Sequence, residues 1–213
     1  MSLKTLRLPL TAALPQVEPT EVPEGKLLAR ASSGDRGAFT ELVRRHQGRV
    51  RSLLLRLCSD RSLADDLAQE VFLRAFRGLV GFEGRASFGT WVYRIAYNVF
   101  LNHRARSREL WSLPEDYETR AAAPEDAMSA GRADLRRDLK GAIEALDDRY
   151  RAVVVLYYVH EVSYPEIAEI LDLPLGTVKT HLHRAKRLLR RAMSGNPIPA
   201  DPADPAEDAE DEA

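Results

Sequence analysis

Apolar residues along the middle of this chain recur every three to four positions, and strand-like alternation is almost absent. The pattern begins near Glu24 and continues, with breaks, to about Arg106. Gly34-Asp35 reads as a turn with Asp35 capping a helix whose buried side is Phe39, Leu42, Val43, Val50, Leu53, Leu54 and Leu57. After a break at Ser59-Asp60, a helix from about Leu63 to Leu79 aligns Ala64, Leu67, Ala68, Val71, Phe72, Ala75 and Phe76 on one stripe. Asp65, Asp66, Gln69, Glu70, Arg74 and Arg77 fall on its other side. Gly81 to Gly84 is a loop, and Ser87 caps a fourth helix to about Arg104, carrying Phe88, Trp91, Val92, Ile95, Ala96 and Val99. The β-branched run Val153-Val154-Val155 lies inside a longer helical pattern. The fold class is all-α: two small helical domains joined by a flexible linker, the second containing a helix-turn-helix.

The domain reading is a flexible N-terminal arm over 1–23, a first helical domain over 24–106, a linker over 107–130, a second helical domain over 131–193 and a disordered acidic tail over 194–213. The most informative stretch is Ser163 to Arg191. Ser163 with Glu166 fits a capping box, and Pro165 stands in the first turn, where a missing N–H costs nothing. Ile167, Ala168, Ile170 and Leu171 keep helical spacing until Asp172-Leu173-Pro174 breaks it, because the residue before a proline avoids the helical region. A second helix opens around Leu175 to Thr177 and runs to about Met193. Its apolar stripe is Val178, Leu182, Ala185 and Leu188/Leu189, and basic residues occupy most of the rest. A helix-turn-helix puts such a helix in the DNA major groove, with its N-terminal residues at base edges.

Charge supports a polyanion partner once its distribution is considered. The net charge is −1, but the last thirteen residues hold seven acids and no base. The first twenty-four hold two bases and three acids, which leaves residues 25–200 at about +7. Cys58 is the single cysteine, so no internal disulfide forms, and its apolar neighbours predict a buried small side chain. No apolar run approaches membrane-spanning length and no signal-peptide core is present, so the expectation is a cytoplasmic protein without direct membrane insertion. Enzyme chemistry finds no support. His46, His103, His160, His181 and His183 make no metal-ligand spacing with Cys58, and no nucleophile–base pair or Gly-rich phosphate loop appears. The expectation is therefore no cofactor, no metal, no catalytic residue and no small-molecule substrate.

The first domain also carries a nucleic-acid signature. Phe82 to Asn98 mixes aromatics, arginines and an amide in a loop–helix context, as single-strand binding requires. Phe88 and Trp91 fit the helical stripe and divide between core and surface roles, whereas Tyr93, Arg94, Tyr97 and Asn98 cannot all face inward.

Four segments in one order carry a family resemblance: Gly34-Asp35 with Ala38-Phe39 and Leu42-Val43, then Ala64 to Phe72, then Phe88 to Asn98, then Leu173 to Lys179. Together they resemble the extracytoplasmic-function (ECF) group of bacterial RNA polymerase sigma factors across residues 25–192. The resemblance implies an alternative sigma factor that binds core RNA polymerase and promoter DNA, and that an anti-sigma factor holds inactive. Asp66, Gln69 and Glu70 would dock on the clamp helices of the polymerase's largest subunit. Phe82, Glu83, Gly84, Arg85 and Ser87 in the loop, with Trp91, Arg94 and Asn98 on the helix, would melt and read the −10 element. Thr177, Lys179, Thr180, His183, Arg184 and Lys186 would contact the −35 element, with Lys179, Thr180, His183 and Arg184 at base edges. His181 and His183 stand where family members vary, so −35 preference does not transfer. The alternative is an autonomous helix-turn-helix regulator binding duplex DNA. Against it, the first domain lacks an α/β receiver pattern, and a sigma factor is expected to be a monomer when free.

Overall fold

A computed structural model describes residues 22–111, 130–196 and 198. The sequence-based arm to residue 21, the linker from 112 to 129 and the tail (197 and 199–213) lie outside the described residues. Every regular element among the described residues is helical. The first domain comprises α1 (Glu24–Ser32), α2 (Arg36–Cys58), α3 (Arg61–Gly78), a 3-10 turn at Leu79–Gly81, and α4 (Phe88–Trp111). The second comprises α5 (Ala130–Glu144), α6 (Asp148–Val154), a π-helical turn at Val155–Val159, α7 (Tyr164–Leu171) and α8 (Leu175–Met193).

The helix starts follow from local chemistry. Asp35 accepts from Ala38 N–H, and Asp60 from Leu63 N–H, each satisfying a donor that the first turn leaves unpaired. The Ala38 amide and the Arg30 guanidinium hold the Asp35 carboxyl below its usual range. Ser87 Oγ accepts from Thr90 N–H and so starts α4. α2 stops at Ser59, which adopts left-handed backbone at φ 57° and donates its N–H to Leu55 O.

Three sequence expectations need revision. α4 continues to Trp111, so the expected linker loses its first residues to helix. Phe76, expected on the buried stripe of α3, is 43% exposed and meets Phe39 edge-on, because the stripe drifts around the helix toward its C-terminal end. Cys58 is half-buried rather than buried, its thiol donating to Asp60 O at 3.3 Å, and burial pushes that thiol up.

The two helical groups share one core. Leu42, Leu53, Leu54, Leu57, Val71, Val92 and Phe100 from the first run continuously into Leu146, Tyr150, Val153, Leu156, Ile167 and Ile170 from the second. The join is made by α7 lying against α4 and by the π-helical turn meeting α2. Arg151 bolts it together. Its guanidinium, mostly buried, donates to Leu57 O at the end of α2 and to Leu146 O and Glu144 O in its own domain. Leu57 O and Glu144 O are carbonyls that helix ends leave without partners, and Leu146 lies in the turn between α5 and α6.

Candidate nucleic-acid interface

The helix-turn-helix forms as its residues direct. Glu166 accepts from Ser163 N–H at 3.1 Å and from Ser163 Oγ at 2.6 Å, completing the capping box with Pro165 in the first turn. Those bonds hold the Glu166 carboxyl below its usual range. Asp172 takes left-handed backbone at φ 55° to end α7, and Pro174 precedes the first turn of α8. Leu173 N–H reaches Ala168 O and closes the turn. Val178, Leu182, Ala185 and Leu188 are buried, which fixes the outward face of α8.

That face carries the candidate −35 residues. Lys179, Thr180, His183 and Lys186 are exposed, and Thr177 and Arg184 are half-buried at its margins. Thr180 Oγ1 donates to Gly176 O at 3.0 Å, so its proton is already committed while its lone pairs stay outward. The two neighbouring histidines differ: His183 faces out, whereas His181 lies edge-on to Tyr150, with its Nδ1 buried. Burial, then the Arg149 and Arg184 guanidiniums, lower the His181 pKa.

The first domain offers a more entangled surface. Phe82, Phe88 and Trp91 form an aromatic cluster with centroids 4.9 to 6.2 Å apart. Phe88 is buried; Phe82 and Trp91 are half-buried against the core. Trp91 lies over Gly78, where an added Cβ would stand 3.3 Å from its ring. Glycine therefore lets the indole sit across the end of α3. Gly84 turns the loop at φ 69°, and the exposed Glu83 and Arg85 pair with each other at 2.5 Å. The Ser87 hydroxyl is engaged in the cap and with Thr90 Oγ1 at 2.8 Å. Arg94 is exposed and reaches Asp172 of the second domain at 3.6 Å. Asn98 is exposed two turns beyond Trp91, about 10 Å further along the helix from the loop than that indole. The structure thus groups Phe82 and Trp91, ties Ser87 and Arg94 to other protein groups, and leaves Asn98 apart.

On α3, the acidic pair divides. Asp65 is bonded to Arg51 of α2, whose guanidinium holds its carboxyl low, while Asp66 points outward. Gln69 is exposed, and Glu70 pairs with Arg74 at 2.5 Å. Sequence reasoning missed the apolar part of this face. Leu73 (58% exposed), Phe76 and Val80 (83%) continue it toward the 3-10 turn. The signal was available in the helical register that carries Asp66 through Gln69 and Glu70 to Leu73.

Comparison with known proteins follows the same two-part division. Residues 42–109 match the family model described as Sigma-70 region 2, and residues 136–189 the one described as Sigma-70, region 4. The chain is 32% identical to the ECF RNA polymerase sigma factor SigW of Bacillus subtilis, covering 79% of this chain and 95% of that protein. It is 38% identical to the ECF RNA polymerase sigma factor SigE of Mycolicibacterium smegmatis, covering 82% and 69%. Among solved structures it resembles CnrH in complex with the cytosolic domain of CnrY, with a TM-score of 0.60, 26% identity and coverage of 81% and 97%. No helix among the described residues is long and apolar enough to cross a membrane.

Proposed function

The chain belongs to the ECF RNA polymerase sigma factors, and from that premise we propose how its surfaces divide the work. It is an alternative sigma factor that binds core RNA polymerase and directs promoter-specific initiation. In our reading, residues 24–106 bind the polymerase and the −10 element, residues 131–193 read the −35 element, and 107–130 sets the reach between them. The observation that carries the reading is the outward face of α8, basic and open, seated on a correctly capped helix-turn-helix.

On that face, Lys179, Thr180, His183 and Arg184 address base edges, while Thr177 and Lys186 position the helix on phosphates. Asp66, Gln69 and Glu70 meet the clamp helices of the largest subunit, and the apolar Leu73 and Phe76 extend their contact. For the −10 element, the loop Phe82, Glu83, Gly84, Arg85 and Ser87 takes an unstacked base, supported by Trp91. Arg94 and Asn98 follow the strand along α4. Holding the base outside the stack offsets an unstacking cost of about a few kcal/mol and so favours strand opening. The protein supplies specificity and no chemistry of its own, acts in the cytoplasm, is a monomer when free, and is held in check by an anti-sigma protein.

The test is transcription by sigma-free core polymerase on a fragmented bacterial genome, with RNA 5′ ends mapped. Discrete starts sharing two upstream motifs, lost in Asn98→Ala or Arg184→Ala, are expected. Absence of both initiation and co-elution with core polymerase would instead leave an autonomous duplex-binding regulator.

A further inference from the structure

α8 carries Lys179, Arg184, Lys186, Arg187, Arg190 and Arg191 and no acidic residue. Lys179, His183, Lys186 and Arg190 stand at steps of four, three and four residues, so they form one row along the outward side, and all four are exposed. Among the described residues no acid pairs with Lys179, Lys186 or Arg190. Like charges at helical spacing repel one another, so this row favours a polyanion laid along it.

The chain contains such a polyanion. Asp201, Asp204, Glu207, Asp208, Glu210, Asp211 and Glu212 follow α8 with no base among them. The end of α8 sets where they begin. Ser194 N–H bonds to Arg190 O and Asn196 N–H to Arg191 O, while Gly195 takes left-handed backbone at φ 80°. That turn breaks the line of the helix, and Ile198 packs half-buried against the core. The acidic segment therefore starts beside the domain rather than at the end of a stalk that leads away from it. Reach is sufficient. Met193 back to Lys179 is about 21 Å along α8. The residues from Ile198 to Glu212 cover about 43 Å at the polyproline rise.

We propose that residues 199–213 lie back along the outward row of α8 and compete with duplex DNA for it, so that the free protein carries its own phosphate mimic. This rests on the −35 assignment of that face. Asp201, Asp204, Glu207 and Glu210 recur every third residue among Pro199, Pro202 and Pro205. Three residues make one polyproline turn, so that period sets four carboxylates along one edge about 9 Å apart. Lys179 and Lys186 are about 10 Å apart along α8, a comparable spacing. The tether holds the tail at an effective concentration of about millimolar, although each exposed ion pair is weak and screened by salt. The tail occupies the face without reading sequence, so it lowers affinity for every duplex by the same factor.

The experiment titrates a random-sequence duplex with three proteins: the full chain, a chain ending at Ile198, and a full-length chain carrying Asp201→Asn, Asp204→Asn, Glu207→Gln, Asp208→Asn, Glu210→Gln, Asp211→Asn and Glu212→Gln. Both variants are expected to bind about tenfold tighter than the parent at about 50 mM salt, and all three to converge by about 0.5 M. A nitroxide on Ala209→Cys, with Cys58→Ser, reads the contact in the full chain without DNA. Amide signals of Lys179, His183, Lys186 and Arg190 are expected to broaden at low salt and to recover at high salt. Unchanged affinity with no broadening overturns the proposal. Tighter binding with no broadening also overturns it, since net charge alone then accounts for the gain. A gain on truncation that neutralisation does not reproduce overturns it as well. Broadening with unchanged affinity keeps the tail on α8 and counts against the −35 assignment instead.

Discussion

The two helices that carry the DNA-reading candidates are built differently. α8 keeps its buried apolar residues on one side, and four of its six candidate side chains face solvent, with Thr177 and Arg184 half-buried at the margins. α4 has the loop and core on one side and the second domain on another, so several of its polar groups already have protein partners. A reading helix of the first kind keeps its face clear of the folded domains. On a helix of the second kind, those polar groups serve the join between the domains. The same amphipathic pattern thus serves two purposes, and which purpose applies depends on what packs against the polar side.

The sharpest way to break the contrast is to remove the bolt between the domains. Arg151 donates to carbonyls on both sides of the join, so Arg151→Met leaves buried acceptors without partners. Each such loss costs about 1–3 kcal/mol, and the combined loss should be about 3 kcal/mol. Thermal denaturation should show a lower midpoint and two transitions in place of one cooperative melt. A single transition at the parent midpoint would mean that the domains are not coupled through this side chain.

On the open side, Arg184→Ala should act on recognition alone. A base-edge arginine contributes about 1–3 kcal/mol of discrimination, so initiation at a cognate promoter should fall about tenfold or more. The melting midpoint should stay unchanged, as should co-elution with core polymerase. A uniform loss across all −35 sequences would reassign Arg184 to a phosphate.

How much of this contrast was legible in the chain follows from where the partners lie. The α8 face could be read because its own apolar residues keep helical period, whichever elements pack against them. The caps at Asp35 and Ser163 were legible for the same reason, since each joins a donor and an acceptor three residues apart. The burial of Tyr93 and Tyr97 was not, because it depends on residues such as His160, which stands sixty-seven positions from Tyr93. The split of Asp65 from Asp66 needed Arg51 on another helix. The π-helical turn at Val155–Val159 had no sequence signature, since a valine run suits ordinary helix ends and strands alike. Local chemistry was readable, and long-range pairing was not.

The join should also respond to acid. Burial, then the facing Arg56 and Arg49, lower the His160 pKa from 6.5 to about 4 in the folded chain, where the Tyr93 hydroxyl is its hydrogen-bond neighbour. Exposed to water on unfolding, the imidazole returns to about 6.5. The unfolded state therefore binds the proton more tightly. The stability of this packing is fully present above about pH 6.5 and is lost as pH falls toward 4, by up to about tenfold per unit in the folding equilibrium. The melting midpoint should fall over that window, and His160→Gln should flatten the response. If the glutamine variant loses stability over the same pH range as the parent, another group carries the transition.

The smallest effect, and the finest probe of the open face, belongs to Thr180. Its hydroxyl proton is given to Gly176 O, so toward DNA the oxygen can only accept. An acceptor at a major-groove edge matches the amino groups of adenine or cytosine, whereas a methyl matches the thymine methyl. Thr180→Val removes the acceptor and keeps the shape. It should leave overall initiation within about twofold and shift preference at one −35 position from adenine or cytosine toward thymine, by less than the Arg184 effect. Selection from a randomised −35 library reads this directly. An unchanged base profile would mean that the back-bonded hydroxyl is held out of the groove and that α8 reads sequence through Lys179, His183 and Arg184 alone.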